Sequence, residues 1–438
     1  MLTKRVIWGG LRGMSVCGLM CLGASASAGE TGCRGFDAPV GYVAGDDSPQ
    51  GVVISDLNSD GWPDMALSRV FGDNVSVLLN NGDGTFGAAV SFATGDAPFS
   101  VATGDVNGDG RLDLVTPNAY ANSVSVLLGN GDGTLQAALN FATGVFPCYV
   151  AIGDVNGDGR SDLVTTNQGT NDVSVLLGNG DGTFGAPANF GAGGTPFSVV
   201  IAILNGDGRP DLAVSNLDGH SVSVLLGVGD GTFGPAVSYD AGGQAASVAI
   251  ADFNGDGRPD LVAACLENFG VSVFLGIGDG TFAPAVDYPS NSPSLSVAIG
   301  DIDGDGYLDL VVGGYYDTYV DGISVLLGRG DGTFFDRTVY GSGPWPHSLA
   351  VGDLNGDEWP DIAVTNAEGS VTASVLLNVA GAAACPADFD CDGFGTGIDF
   401  DRYVQTFEAG DMRADFNNDG FLTGEDFDLY VQAFEEGC

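Results

Sequence analysis

The chain has 438 residues, with 57 acidic against 13 basic side chains, a formal charge of −44 at pH 7 and 44% hydrophobic content. So acidic a surface repels nucleic acid and anionic lipid, and so much apolar content implies a buried core rather than disorder.

Residues 1–28 carry Lys4, Arg5 and Arg12, an apolar stretch from Met14 to Gly23, and then Ala26-Ser27-Ala28. This order reads as a secretory signal cleaved after Ala28, so the mature chain is expected to be extracellular or at the cell surface. A lipidated Cys21 is the competing reading, and Met20 is a poor residue to precede one. After cleavage 10 arginines and no lysine face 57 carboxylates, a formal charge of −47. No later segment is long and apolar enough for a membrane-spanning helix.

From there to about residue 380 the sequence repeats. A D-x-N-x-D-G-x-x-D loop starts at Asp56, Asp105, Asp154, Ile203, Asp252, Asp301 and Asp353, in steps of 49, 49, 49, 49, 49 and 52 residues. A period of this size marks stacked units that cannot bury their apolar faces alone. Each unit holds four short β-branched-rich runs separated by Gly, Asn and Asp. In the second they are Ser100 to Ala102, Leu112 to Thr116, Val124 to Leu128 and Leu139 to Ala142. The fold expected is all-β, a seven-bladed propeller of four-stranded antiparallel blades over residues 29–380.

The last unit lacks its fourth run, while Phe36 to Gly45 matches Phe86 to Gly95 in pattern. The N-terminal strand is therefore expected to complete the final blade and close the ring.

Oxygen-bearing side chains at loop positions 1, 3, 5 and 9, with Gly at 6 for the bend, converge on one hard cation; zinc and copper prefer nitrogen or sulfur. The residues so placed are Asp56, Asn58, Asp60, Asp64; Asp105, Asn107, Asp109, Asp113; Asp154, Asn156, Asp158, Asp162; Asp252, Asn254, Asp256, Asp260; and Asp301, Asp303, Asp305, Asp309. The fourth loop keeps Asn205, Asp207 and Asp211 but has Ile203 first. The seventh keeps Asp353, Asn355, Asp357 and Asp361 but puts Glu358 where Gly is expected. An EF-hand is excluded because position 12 is not acidic, as at Thr116, and a strand follows. The Gly-Asp-Gly-Thr turns, as at Gly82 to Thr85, read as tight hairpins between third and fourth strands that return Phe or Leu to the core.

These loops resemble FG-GAP or VCBS repeats, the calcium-loop propeller repeats also seen in integrin α-subunits and many bacterial surface proteins. The resemblance covers roughly residues 36 to 380 and implies several structural Ca2+ ions and a binding or adhesion role.

After an Ala/Gly linker, Val379 to Ala384, two further loops appear in residues 381–438. Asp388, Asp390, Asp392, Thr396 and Asp399, and then Asp415, Asn417, Asp419, Thr423 and Asp426, fall at positions 1, 3, 5, 9 and 12. Apolar stripes at helical spacing follow each, Phe400, Tyr403, Val404, Phe407 and Phe427, Tyr430, Val431, Phe434. The pair resembles a type I dockerin, and the Cys-Pro-Ala-Asp opening with a terminal Gly-Cys is similar to tails of exported planctomycete-type proteins. The resemblance implies a small EF-hand-like helical module that docks on a cohesin-like partner or a cell-surface anchor. The proposed ligands account for 28 of the 57 acidic residues.

Six cysteines remain after the signal. Cys385 and Cys438 bracket the tail and are the first choice for a disulfide, with Cys33 to Cys385 the competitor; Cys148 and Cys265 read as buried thiols.

Strand alternation puts the metal loops on one face and the most variable segments on the other. The candidates there for a glycan or protein ligand are Tyr120, Tyr149, Tyr315, Tyr316, Tyr319, Trp345 and His347, with Phe99, Phe146, Phe197, His220 and Phe269 beside them. With only two histidines, no lysine after the signal and no acid pair outside the loops, no catalytic residue is assigned. The function expected is a secreted, non-catalytic binding or adhesion module. The alternative is a polysaccharide-degrading lyase or hydrolase component, since dockerins often accompany such enzymes.

Overall fold

A computed structural model describes residues 35–45, 48–314, 322–367 and 372–379, together with the helical residues Val404, Phe427 and Val431. The expected signal peptide, the tail loops, the expected Cys385–Cys438 pairing and Tyr315, Tyr316 and Tyr319 lie outside the described residues.

Seven four-stranded antiparallel sheets form the described chain, six of them meanders of consecutive strands and the seventh with its outer strand taken from the N-terminal segment. Blade three is representative, with strands Pro147–Gly153, Asp162–Asn167, Asp172–Leu176 and Ala188–Gly191. Its second strand is buried throughout, whereas its fourth is exposed at all but one position. Ile, Val and Thr suit the two-sided burial of the middle strands, and small polar residues alternate with one aromatic on the outer strand. The first strands of neighbouring blades pack on each other, which places them at the hub.

The apolar core lies between blades. One cluster joins Ala66, Val75 and Val77 of blade one to Val101, Leu114 and Leu127 of blade two. Another joins Leu354, Ala363 and Val375 of blade seven to Met65, Leu67 and Leu78 of blade one. Burying each Val or Leu side chain contributes about 1.5–3 kcal/mol, and only a neighbouring blade can supply the covering surface.

Closure follows the expected three-plus-one arrangement. Val40–Tyr42 forms the outer strand of blade seven, with Val40, Gly41 and Tyr42 opposite Val375, Ser374 and Ala373. Phe36 makes a further bridge to Asn378. The strand is shorter than the Phe36 to Gly45 match suggested, since only its central residues are in ladder register.

Candidate metal loops and the opposite face

Each acidic loop joins the first and second strands of a blade, and its ninth residue opens the second strand. These residues, Asp64, Asp113, Asp162, Asp211, Asp260, Asp309 and Asp361, are fully buried. One carboxylate oxygen accepts the N–H of the loop's second residue and the other the N–H just past the third strand, at 2.7–3.0 Å in every blade. In blade one the donors are Leu57 and Asn80. A buried carboxylate needs such partners, and its remaining lone pairs stay available to a cation. Burial pushes all seven carboxyls up despite those donors, furthest at Asp309, to about 7, and Asp361, to about 6.

The first aspartate organises the loop backbone. Asp105 accepts the N–H groups of Gly108 at 2.7 Å and Gly110 at 2.8 Å. Burial disfavours its charge, but the N–H groups of Gly110, Gly108, Asn107 and Asp109 together outweigh that and hold its carboxyl below the usual range. Asn107 accepts from the Asp109 N–H, and Asp109 from the Arg111 N–H, each at 2.9 Å.

The two deviant loops differ as their sequences require. Ile203 is 44% exposed and offers no acceptor, so loop four keeps only the Asn205 and Asp207 turns. Glu358 is held at φ 71°, where the corresponding glycines lie between 77° and 93°. An L-residue is strained there.

The donors fit a hard cation. They are oxygen throughout, and in loop six the carboxylate oxygens of Asp301, Asp303 and Asp309 come within 4.8 Å of one another. Asp301 Oδ1 is buried there without a hydrogen-bond partner. The Gly-Asp-Gly-Thr turns are self-contained by contrast. Asp83 accepts both the hydroxyl and the N–H of Thr85, which hold its carboxyl below the ordinary range, and Phe86 is 7% exposed.

On the other face the candidate residues separate. Tyr149, on the first strand of blade three, is 36% exposed. Tyr120 and Phe99 are half-buried against Phe146, with ring centroids 5.7 and 5.9 Å away, over Val70, Ala97 and Ala119. Trp345 is half-buried at φ 55°. His347 does not belong to the exposed set: it is 8% exposed, and its Nδ1 lies 2.9 Å from the Gln50 carbonyl. It occupies an inward position of the first strand of blade seven, and burial pushes its imidazole down to about 4. Sequence reasoning missed Glu267, whose Oε2 is 3.3 Å from His220 Nδ1. Cys148 and Cys265 are buried free thiols, raised by burial, Cys265 to about 11.

This is a closed seven-bladed propeller with oxygen-rich loops in phase on one face. Residues 44–116, 154–214, 204–263, 264–312 and 313–364 match the profile of the FG-GAP-like repeat, more than half of the chain, and the chain belongs to that family. No curated protein matches it. Among solved structures, it is similar to BBS1N in its complex with ARL6DN, at 13% identity and a TM-score of 0.55 over 80% of this chain and 98% of that one. It is also similar to an inactive variant of virginiamycin B lyase from Staphylococcus aureus, at 12% identity and a TM-score of 0.51 over 78% and 99%. An Agrocybe aegerita lectin specific for non-reducing terminal N-acetylglucosamine aligns at 23% identity and a TM-score of 0.47 over 67% and 80%. Likeness at these identities speaks to the fold alone. Among the described residues no helix is long and apolar enough to cross a membrane.

Proposed function

We propose that the protein is an exported, calcium-stabilised propeller that acts as a non-catalytic binding or adhesion module. Its ligand, a glycan or a protein, sits on the face opposite the acidic loops, and the dockerin-like tail tethers it to a cohesin-like or cell-surface anchor. The observation that carries this reading is the division of labour between faces. One face repeats the same self-braced oxygen loop, while the other departs from the repeat and exposes Tyr149 and Phe269. Both free thiols are buried and raised, so neither is a ready nucleophile.

Ca2+ supplies cross-links here, not chemistry. Sites with Kd near 0.1 mM in about 1 mM Ca2+ would each contribute about 1.4 kcal/mol, so five or more rival the net stability of a domain. The test is an array of glycans and extracellular proteins probed with the calcium-loaded mature chain, beside a turnover assay on neutral and acidic polysaccharides. Selective retention without product release is the expected result; product release would replace the reading with an enzymatic one.

A further inference from the structure

The second-to-third turns of blades one to five each hold one residue in the left-handed backbone region, at constant spacing: Asp73, Asn122, Asn171, His220 and Phe269, with φ between 47° and 57°. In the first three the side chain repays the conformation. Asp73, Asn122 and Asn171 accept the N–H groups of Ala97, Phe146 and Thr195 at 3.0, 2.9 and 2.8 Å, tying each turn to the start of the next blade. Asp and Asn are also the residues that best tolerate this backbone.

Blades four and five keep the strained conformation but put an imidazole and a benzyl group on it, and neither supplies that amide or carboxylate acceptor. The carbonyl at this position still accepts an N–H in both blades, from Ala241 and Ser290, so the turn keeps its backbone tie and only the side-chain tie to the next blade is exchanged for a different chemistry. The side chains are displayed together at the outer surface. His220 Nδ1 lies 3.3 Å from Glu267 Oε2, with the two side chains 45% and 43% exposed. Phe269, two residues beyond Glu267, is 41% exposed. Asp218, two residues before His220, accepts the Thr195 hydroxyl at 2.6 Å.

We propose that Thr195, Asp218, His220, Glu267 and Phe269 form a subsite for a neutral saccharide. The Phe269 ring covers the apolar face of a pyranose, and the imidazole and carboxylates take its hydroxyls. Two carboxylates at the subsite, on a chain of charge −44, exclude uronates and sulfated sugars. The inference rests on the binding reading above and gives that reading a place and a ligand class.

The test compares the full chain with the double variant His220→Asn and Phe269→Asn on an array carrying neutral, uronate-bearing and sulfated glycans, with Tm measured in parallel. Asn is what blades two and three carry at this turn position, so the variant is expected to fold with an equal or higher Tm. The expected result is retention of the parent on neutral glycans only, reduced at least tenfold in the variant. Equal retention by both proteins overturns the subsite and leaves the binding reading intact. Retention of the parent on anionic glycans alone overturns the ligand class. A parent that retains a protein and no glycan overturns the subsite but not the binding role, and one that retains nothing overturns both.

Discussion

Tyr42 meets Phe86 edge-on, with ring centroids 5.4 Å apart and planes at 81°. The contact joins the outer strand of blade seven to the hairpin of blade one, and it repeats at ordinary blade boundaries, as between Tyr239 and Phe282 at 5.5 Å and 82°. The seam where the two ends of the propeller meet is therefore packed like a boundary inside the chain. Tyr42→Ala is expected to lower stability about as much as Tyr239→Ala, roughly 3 kcal/mol each. Denaturant melts of the two variants check this; a loss at Tyr42 below a third of that at Tyr239 would show a loose seam.

A second contact braces the same seam from the loop face. A Cβ on Gly356, in the loop of blade seven, would lie 2.5 Å from Cζ3 of Trp62 in blade one, and Gly82 flanks the same ring. Gly157, at φ 76°, has the same backbone as Gly356, at φ 79°, with nothing near its missing Cβ. Both Gly→Ala changes are therefore strained, by about 1 kcal/mol, but only Gly356→Ala also overpacks a ring. It is expected to lose about 1–3 kcal/mol more than Gly157→Ala, measured as the difference in their denaturant midpoints.

The buried ninth-position aspartates predict an unusual pH response without metal. Asp309 holds its proton up to about 7 in the folded chain, against 3.8 as the ordinary value. The folded state then binds more protons than the unfolded one, so stability falls as pH rises through the folded value. His347, pushed down to about 4, works in the opposite sense only below 6.5. Between pH 6.5 and 8 the Tm in chelator is expected to fall, and saturating Ca2+ should abolish the fall. A rising Tm in chelator across that window would contradict the assignment.

Loop four gives a gain-of-site prediction. Ile203→Asp replaces a 44% exposed aliphatic side chain with the oxygen that the other six loops carry. The variant is expected to bind one more Ca2+ than the parent, counted by native mass spectrometry. An unchanged count would mean that position 1 is not a ligand.

The fold was largely legible because its information is periodic. A 49-residue repeat with strand-like alternation specifies blade number, and the missing run after Leu377 matched to Phe36 specifies the closing strand. The loop positions were legible for the same reason. What escaped was set by contacts between blades, which one repeat does not encode. His347 reads as a variable loop residue, yet the blade-one carbonyl of Gln50 receives it inside the ring. Trp62 reads as an ordinary loop residue, but its ring finds Gly356 only after closure. The double N–H capping of Asp64 escaped for a different reason, since it is made within blade one: Asn80 comes near only when the third strand pairs. The turn position shared by Asn171 and His220 was visible in the spacing, but its left-handed backbone was not.

The most direct test is the Tm of the full-length mature chain, first stripped with chelator and then titrated with Ca2+ at pH 7.5. A metal-braced ring predicts that the propeller transition rises by 10 °C or more from zero to millimolar Ca2+, while Mg2+ at the same concentration does much less. A transition that stays within one degree throughout would contradict the account.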